Sequence, residues 1–239
     1  KKRLTETVNH CTTNYLRIPS SVGLVVAAGA HSARYAGCPG SITEWRGFTF
    51  DGKWGQRTIP TLAVLHPADL FRNPKMVIPS MKDWEKVALY LRGVWPQPIP
   101  ERYIVQGWDP EILDTWFYAA RAASFVAIDT EYWEGKDRMS LIGLGYPEMD
   151  RGLQVDWRRT PPECKLIFNR RLKELVKSKP IVYQNAMADV PVLRINCGVN
   201  WADHTRVEDL MLAHAALFTE LPHTLEFIAS MYSPYSKMK

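Results

Sequence analysis

The run Phe125-Val126-Ala127-Ile128-Asp129-Thr130-Glu131 constrains this chain more than any other stretch. It reads as a short apolar strand that ends by presenting two acids. Side chains alternate along a strand, so Asp129 and Glu131 project the same way, roughly 6 to 7 Å apart. Ile128 and Thr130 face the other side. Two carboxylates side by side repel unless a cation sits between them, and hard divalent ions such as Mg²⁺ take oxygen ligands of this kind. A D-x-E pair is also what the polar edge of a strand looks like where it meets solvent, so the pair alone does not decide.

The 239 residues fit one large or two ordinary domains. With 46% hydrophobic and 23% charged residues the chain is an ordinary globular one, long enough to bury real cores. A net charge of +5 is compatible with a polyanionic partner without requiring one. Cys11, Cys38, Cys164 and Cys197 lie far apart and form no C-x-x-C pair. They suggest neither a disulfide framework nor a closed metal site, which suits a reducing compartment. The longest apolar run, Leu24 to Ala30, is too short to span a bilayer and follows no signal-peptide pattern, so no membrane role is expected. A start at Lys1-Lys2-Arg3 and a stop at Met238-Lys239 lead us to expect a piece of something longer.

Residues 1 to about 93 read as an α/β domain. Leu24 to Gly29 is an apolar strand ending in glycine, Trp45 to Phe50 a strand with a turn at Asp51-Gly52, and Thr61 to Leu65 a buried strand that delivers His66-Pro67. Met81 to Leu91 fits a helix with Trp84, Val87, Ala88 and Leu91 on one face. Residues 94–110 contain alternate prolines that remove donors and fix φ, and they read as a linker. Residues 111–239 then alternate helix and strand. A helix leads into the two-acid strand, Met139 to Tyr146 pairs with that strand, and Lys165 to Ser178 is an amphipathic helix with Leu166, Leu172, Leu175 and Val176 as its stripe. Pro180 to Tyr183 is a buried strand, followed by Asn185-Ala186-Met187-Ala188-Asp189 and a helix. Val207, Leu210, Met211, His214, Leu217 and Phe218 share a face of a further helix, and Thr224 to Tyr232 forms the last.

Asp189 stands where a helix begins, a position that a capping residue also takes. A strand with D-x-E, a second strand, a helix and then a strand ending in N-x-x-x-D is, however, the order of parts in RNase H-like exonucleases. From about residue 110 onward the chain resembles the 3′→5′ proofreading exonuclease of family A DNA polymerases, phage ones in particular. Asp129-Thr130-Glu131 matches the first motif and Asn185 to Asp189 the second, while Glu208 to His214 with Leu221 to Leu225 resembles the lead-in to the third. The resemblance implies an RNase H-like fold and two-metal hydrolysis of DNA with two Mg²⁺ or Mn²⁺ ions about 4 Å apart. Asp129 would bridge both ions, Glu131 would hold the attacking-side ion and Asp189 the other. Asn185, Thr130 and Tyr132 would contact the substrate strand. It implies DNA with a single-stranded or frayed 3′ end as partner, a following polymerase domain, and, for a phage protein, work in the bacterial cytoplasm. The third motif, a Tyr or His four residues before a fourth aspartate, has no match after Asp189. Slow or absent hydrolysis is therefore expected.

The first domain resembles part of an iron–sulfur type uracil-DNA glycosylase. The resemblance rests on Leu24 to Gly29, Trp45-Arg46-Gly47 and Leu65-His66-Pro67-Ala68-Asp69-Leu70-Phe71-Arg72-Asn73-Pro74. It would give His66 the flipped uracil, Arg72 a DNA phosphate and Cys11 the place of a cluster cysteine. The other cluster cysteines and the water-positioning motif are absent, so glycosylase activity is not expected. His66 is equally a His-Pro turn before a helix. The basic side chains expected near the two sites are Arg72, Lys75, Arg138 and Arg194, with Tyr132 and Trp133 able to stack on a base. Arg158-Arg159 and Arg170-Arg171 read as solvated surface. Two further readings stay open: a non-catalytic DNA-binding scaffold, and a glycosylase-derived reader of uracil in DNA.

Overall fold

The computed structural model describes residues 6–7, 10, 17–97, 103–106, 109–133, 139–147 and 151–235. The chain forms two compact units, one of residues 1–99 with 220–239 and one of residues 100–219.

The first unit runs β1 (Val25–Ala28), α1 (Ala30–Tyr35), α2 (Ile42–Trp45), β2 (Thr49–Trp54), β3 (Arg57–Val64), α3 (Pro67–Arg72) and α4 (Val77–Leu91). Its sheet has the order β1-β3-β2, with β1 parallel and β2 antiparallel to β3. The central strand carries the longest buried run, Thr61 to Leu65, as a strand covered on both faces must. Three expectations change here. The strand expected from Trp45 begins only at Thr49, because Ser41 and Glu44 form a capping box that keeps Ile42–Trp45 helical. The turn expected at Asp51-Gly52 falls at Gly55-Gln56. Gly52 pairs with Ile59 inside the strand, where only glycine fits because a Cβ would lie 2.0 Å from Thr61 Oγ1. Finally, α4 exposes Trp84 and Leu91 and buries Pro79, Ser80, Asp83 and Lys86. Arg46 explains that reversal. It is wholly buried, donates from Nε to Asp83 Oδ2 at 2.9 Å, and reaches Pro79 O and Ser230 Oγ.

The second unit begins with β4 (Tyr103–Gln106), inside the stretch read as linker. Its backbone finds a parallel partner in the later strand Arg151–Asp156, which the sequence reading missed. α5 (Pro110–Ala120) follows, capped by Asp109, whose carboxylate accepts from Glu111 N and Ile112 N. Next come β5 (Val126–Tyr132), β6 (Met139–Gly145), β7 (Arg151–Asp156), α6 (Pro162–Ser178), β8 (Pro180–Tyr183), α7 (Ala186–Cys197), β9 (Arg206–Asp209) and α8 (Leu210–Leu217). The sheet order is β4-β7-β6-β5-β8-β9. β6 is antiparallel to both β5 and β7, whereas β5, β8 and β9 run parallel. Counted from β5, the strands stand 3-2-1-4-5 with only the second reversed, which is the RNase H-like arrangement the sequence order implies. β5 is central, and its alternate residues Val126 and Ile128 join a core with Phe117, Ile142, Phe168, Leu172 and Ile181. Each such side chain contributes about 1.5–3 kcal/mol by leaving water.

Leu166 points out of α6, while Cys164 and Phe168 take the buried face with Leu172, Leu175 and Val176. Val207 belongs to β9 rather than to the helix expected there, and α8 buries only His214. The last described helix is α9 (Leu225–Tyr232), which Thr224 caps through Phe227 N. The sequence reading placed this segment in the second domain, but it packs with α4 and α2 of the first unit. Ser230 accepts Arg46 on its hydroxyl and Lys86 on its carbonyl, and those bonds hold it there. Among the described residues no helix is long and apolar enough to cross a membrane.

Candidate functional site

The strand alternation expected of β5 is present. Val126, Ile128 and Thr130 are buried, and Ala127, Asp129 and Glu131 are exposed. Asp129 lies opposite Gly143 of β6, and Ala127 opposite Gly145. Directly paired residues share a face of the sheet, so those two glycines lie on the acids' side. No atom stands within 4 Å of where a Cβ would project from either one. The sheet is therefore clear beside Asp129.

Beyond Glu131 the pairing shifts, with Glu131 opposite Leu141 and Tyr132 opposite Met139. Ser140 is the extra residue of this bulge, and its Oγ donates to Glu131 O at 2.9 Å. Bulges of this kind turn a strand end and re-aim its side chains.

Asp189 approaches from the other flank. β8 pairs with β5 only through Ile181 and Val182, then stops at Tyr183 and gives way to α7. In the gap stands Asp189, on the first turn of that helix, only 4% exposed. Its Oδ1 accepts from Thr130 N at 3.0 Å and from Thr130 Oγ1 at 2.6 Å. The carboxyl thus takes a backbone donor that a longer β8 could have used, and it joins residues 59 positions apart. Burial pushes its pKa up, the Thr130 bonds pull it down, and the charges of Asp129 and Asp209 push it up again. Thr130, expected to face substrate, has both its donors committed to Asp189 and is buried. It positions the acid.

Asn185 precedes α7 in the left-handed region, φ 81° and ψ 63°. Among the described residues it is the one non-glycine with positive φ, a conformation that asparagine tolerates better than most residues. Its side chain makes no capping bond. What holds the turn is Asp209, which the sequence reading passed over. The Asp209 carboxylate accepts from Asn185 N (3.2 Å) and Ala186 N (2.7 Å), and also from Met211 N and Leu212 N at the start of α8. One side chain caps two helices. An aspartate directly before the apolar run Leu210-Met211-Leu212 was the available signal.

Tyr183, next to this turn, is buried and donates or accepts at His204 Nε2 over 2.8 Å. Burial raises its pKa. Tyr132 and Trp133 are both exposed at the β5 end. Arg194 is exposed on α7, and Arg138 lies outside the described residues.

The acids do not close into one ligand set. Asp129 and Glu131 share the open face, while Asp189 is turned to Thr130. Among the described residues no three His, Cys, Asp or Glu side chains form a group that could hold a metal ion. The described acids therefore do not by themselves fit the two-metal centre that the resemblance implies.

In the first unit His66 is the N-cap of α3, with Nδ1 accepting from Ala68 N at 3.1 Å. Gly29 sits against it at φ 87°, where a Cβ would lie 3.0 Å from His66 Cβ. Arg72 and Lys75 are exposed, and Arg72 lies 3.7 Å from Asp69. Cys11 is outside the described residues.

No protein-family model matches this chain. No curated protein matches it either. Solved structures do align with it. The catalytic core of RRP6 from Trypanosoma brucei is 15% identical with a TM-score of 0.46, covering 58% of this chain and 39% of that one. Escherichia coli RNase D, an exoribonuclease involved in structured RNA processing, is 17% identical with a TM-score of 0.44, covering 57% and 34%. Brucella melitensis NrnC with bound Mg²⁺ is 19% identical with a TM-score of 0.39, covering 50% and 58%. The aligned part thus spans less than two thirds of each of these chains.

Proposed function

We propose that the second unit is a metal-dependent 3′→5′ exonuclease domain acting on a single-stranded or frayed 3′ end. The observation that carries this reading is Asp189 bonded to Thr130. It brings the second acidic motif to the residue between the two acids of the first, on the central strand of an RNase H-like sheet. The clear surface beside Asp129 at Gly143 and Gly145 supports it by leaving room for a strand. Mg²⁺ or Mn²⁺ would supply charge stabilisation at the reacting phosphate. Asp129 and Glu131 are the residues that would hold such an ion, and Asp189 would add its charge beside them. The described residues supply an incomplete ligand set, so we expect slow turnover. DNA as substrate and a polymerase partner rest on the motif resemblance, and we keep them as part of the proposal.

The test is a 5′-labelled single strand, DNA in one arm and RNA in the other, incubated with the chain and Mn²⁺, Mg²⁺ or EDTA. Stepwise shortening from the 3′ end that needs the metal and disappears in Asp129→Asn supports the reading. No metal-dependent shortening on either strand, even at high enzyme, would sink it. For the first unit, the N-cap role of His66 accounts for its position, and we assign it no chemistry.

A further inference from the structure

At the end of β5 an indole and a guanidinium are already in contact. Trp133 is 59% exposed, far more than its size favours, and follows Glu131 by two residues. Trp133 is the first residue after β5, directly beyond the bulge that ends its pairing with β6. The guanidinium carbon of Arg158 lies over the Trp133 ring, 5.3 Å from its centroid. Arg158 itself is exposed.

The turn that carries Arg158 is fastened from below. Arg158 sits on a turn after β7 whose Asp156 Oδ1 accepts from Arg158 N and Arg159 N, and whose Thr160 Oγ1 donates to Asp156 O at 2.6 Å. Trp157, between them, is buried against Phe168. It pins the turn to the core and leaves Arg158 and Arg159 exposed. The bulge residue Ser140 fastens both halves. Its carbonyl accepts from Trp157 N at 2.9 Å, and its hydroxyl donates to Glu131 O. One residue therefore ties the end of β5, just before Trp133, to the turn that carries Arg158.

We propose that Trp133 and Arg158 form a base-stacking and phosphate-binding subsite for a single-stranded nucleic acid, just past the end of the strand that carries Asp129 and Glu131. The proposal rests on the exonuclease reading for the nature of the strand. Every base offers a π-face to an exposed indole, and the guanidinium adds charge for the backbone. Arg159 on the same turn is paired with Asp156 at 3.6 Å, which leaves Arg158 as the cation of the subsite. The same pair in a purely structural role would join two surface segments, but Ser140 already joins them through its hydroxyl and its carbonyl.

The experiment measures binding of the whole chain in EDTA to a fluorescein-labelled 12-nucleotide oligothymidylate. An abasic strand of the same length is the comparison. Wild type should bind the base-bearing strand more tightly than the abasic one. Trp133→Ala should weaken binding to the base-bearing strand about five- to a hundredfold and to the abasic strand hardly at all, with Trp133→Phe within about threefold of wild type. Arg158→Gln should lower the slope of log affinity against log salt by about one. If Trp133→Ala binds both strands as wild type does, or loses both equally, the subsite is overturned while the exonuclease reading stands. If Trp133-dependent binding is present but metal-dependent shortening is absent, the exonuclease reading falls and the subsite stands.

Discussion

Oδ1 of Asp189 accepts two hydrogen bonds from a single residue, from Thr130 N at 3.0 Å and from Thr130 Oγ1 at 2.6 Å. A buried carboxyl is thereby locked to the residue between Asp129 and Glu131. Thr130→Val keeps the shape and removes one donor. We expect a loss of about 1–2 kcal/mol in the stability of the second unit. The Asp189 pKa should rise further, because a bond that favours its charged form is gone. Its folded pKa already lies above the ordinary value. Its contribution to stability is therefore fullest below the ordinary carboxylate range and is lost as pH rises through the folded value. In Thr130→Val that loss should move to higher pH, and so should the acid limb of hydrolysis. Carboxyl NMR titration together with a pH–rate profile checks both, and an unmoved Asp189 titration would count against the link.

Gly143 lies opposite Asp129, with open space where a side chain would go. Gly143→Val should therefore fit without strain and leave stability within about 0.5 kcal/mol of wild type or slightly higher, since valine suits a strand. The same side chain would fill the surface beside Asp129. Hydrolysis should fall at least about tenfold while urea unfolding is unchanged. A fully active Gly143→Val would show that the strand does not pass there.

Asn185 and Asp209 separate structural from functional roles at the turn into α7. Asn185→Gly suits φ 81° and should leave stability nearly unchanged, whereas Asn185→Ala should cost about 1 kcal/mol. Asp209→Ala removes a cap from two helices and should cost about 2–3 kcal/mol. Thermal melts give these values. Activity lost in the stable Asn185→Gly protein would place the Asn185 amide on the substrate, and retained activity would make it a turn residue.

The buried charges of the first unit predict an unusual pH response. Burial lifts Asp83 from 3.8 to about 6, against the pull of Arg46, and drops Lys86 from 10.5 to about 8, against the pull of Asp83. Between pH 3.8 and 6 the folded chain holds the Asp83 proton and the unfolded chain does not, so stability falls as pH rises. Between pH 8 and 10.5 the unfolded chain holds the Lys86 proton, so stability rises by up to about 3 kcal/mol. Lys86→Met should flatten that second rise in urea titrations followed by hydrogen exchange at α4. Gly47→Ala should disrupt the same cluster severely, since φ is 74° and a Cβ would lie 2.6 Å from Asp83 Oδ1 and Ser230 O.

The sequence was most legible where period and chemistry agree. Alternation in Val126 to Glu131 placed the two acids on one face and the apolar residues on the other, as the structure has them. The helices before β5 and after β7 were visible from their apolar spacing. Reading failed where a polar partner distant in sequence sets burial. Nothing local in Met81 to Leu91 says that Asp83 and Lys86 face inward, because the cause is Arg46, 37 residues earlier, and Ser230, 144 residues after Lys86. β4 was hidden because a four-residue strand among prolines carries little pattern until a partner strand pairs with it.

The sequence by itself determined the strand that bears Asp129 and Glu131, the order of parts around it, and the residue types able to do the chemistry. These follow from local periodicity and from what carboxylates do side by side. Only the tertiary structure decided that Asp189 turns to Thr130, that glycines clear the surface beside Asp129, and that Arg158 lies over Trp133. Each of those depends on where one segment stops and another passes it in space, which pairing across the sheet sets and no single stretch encodes.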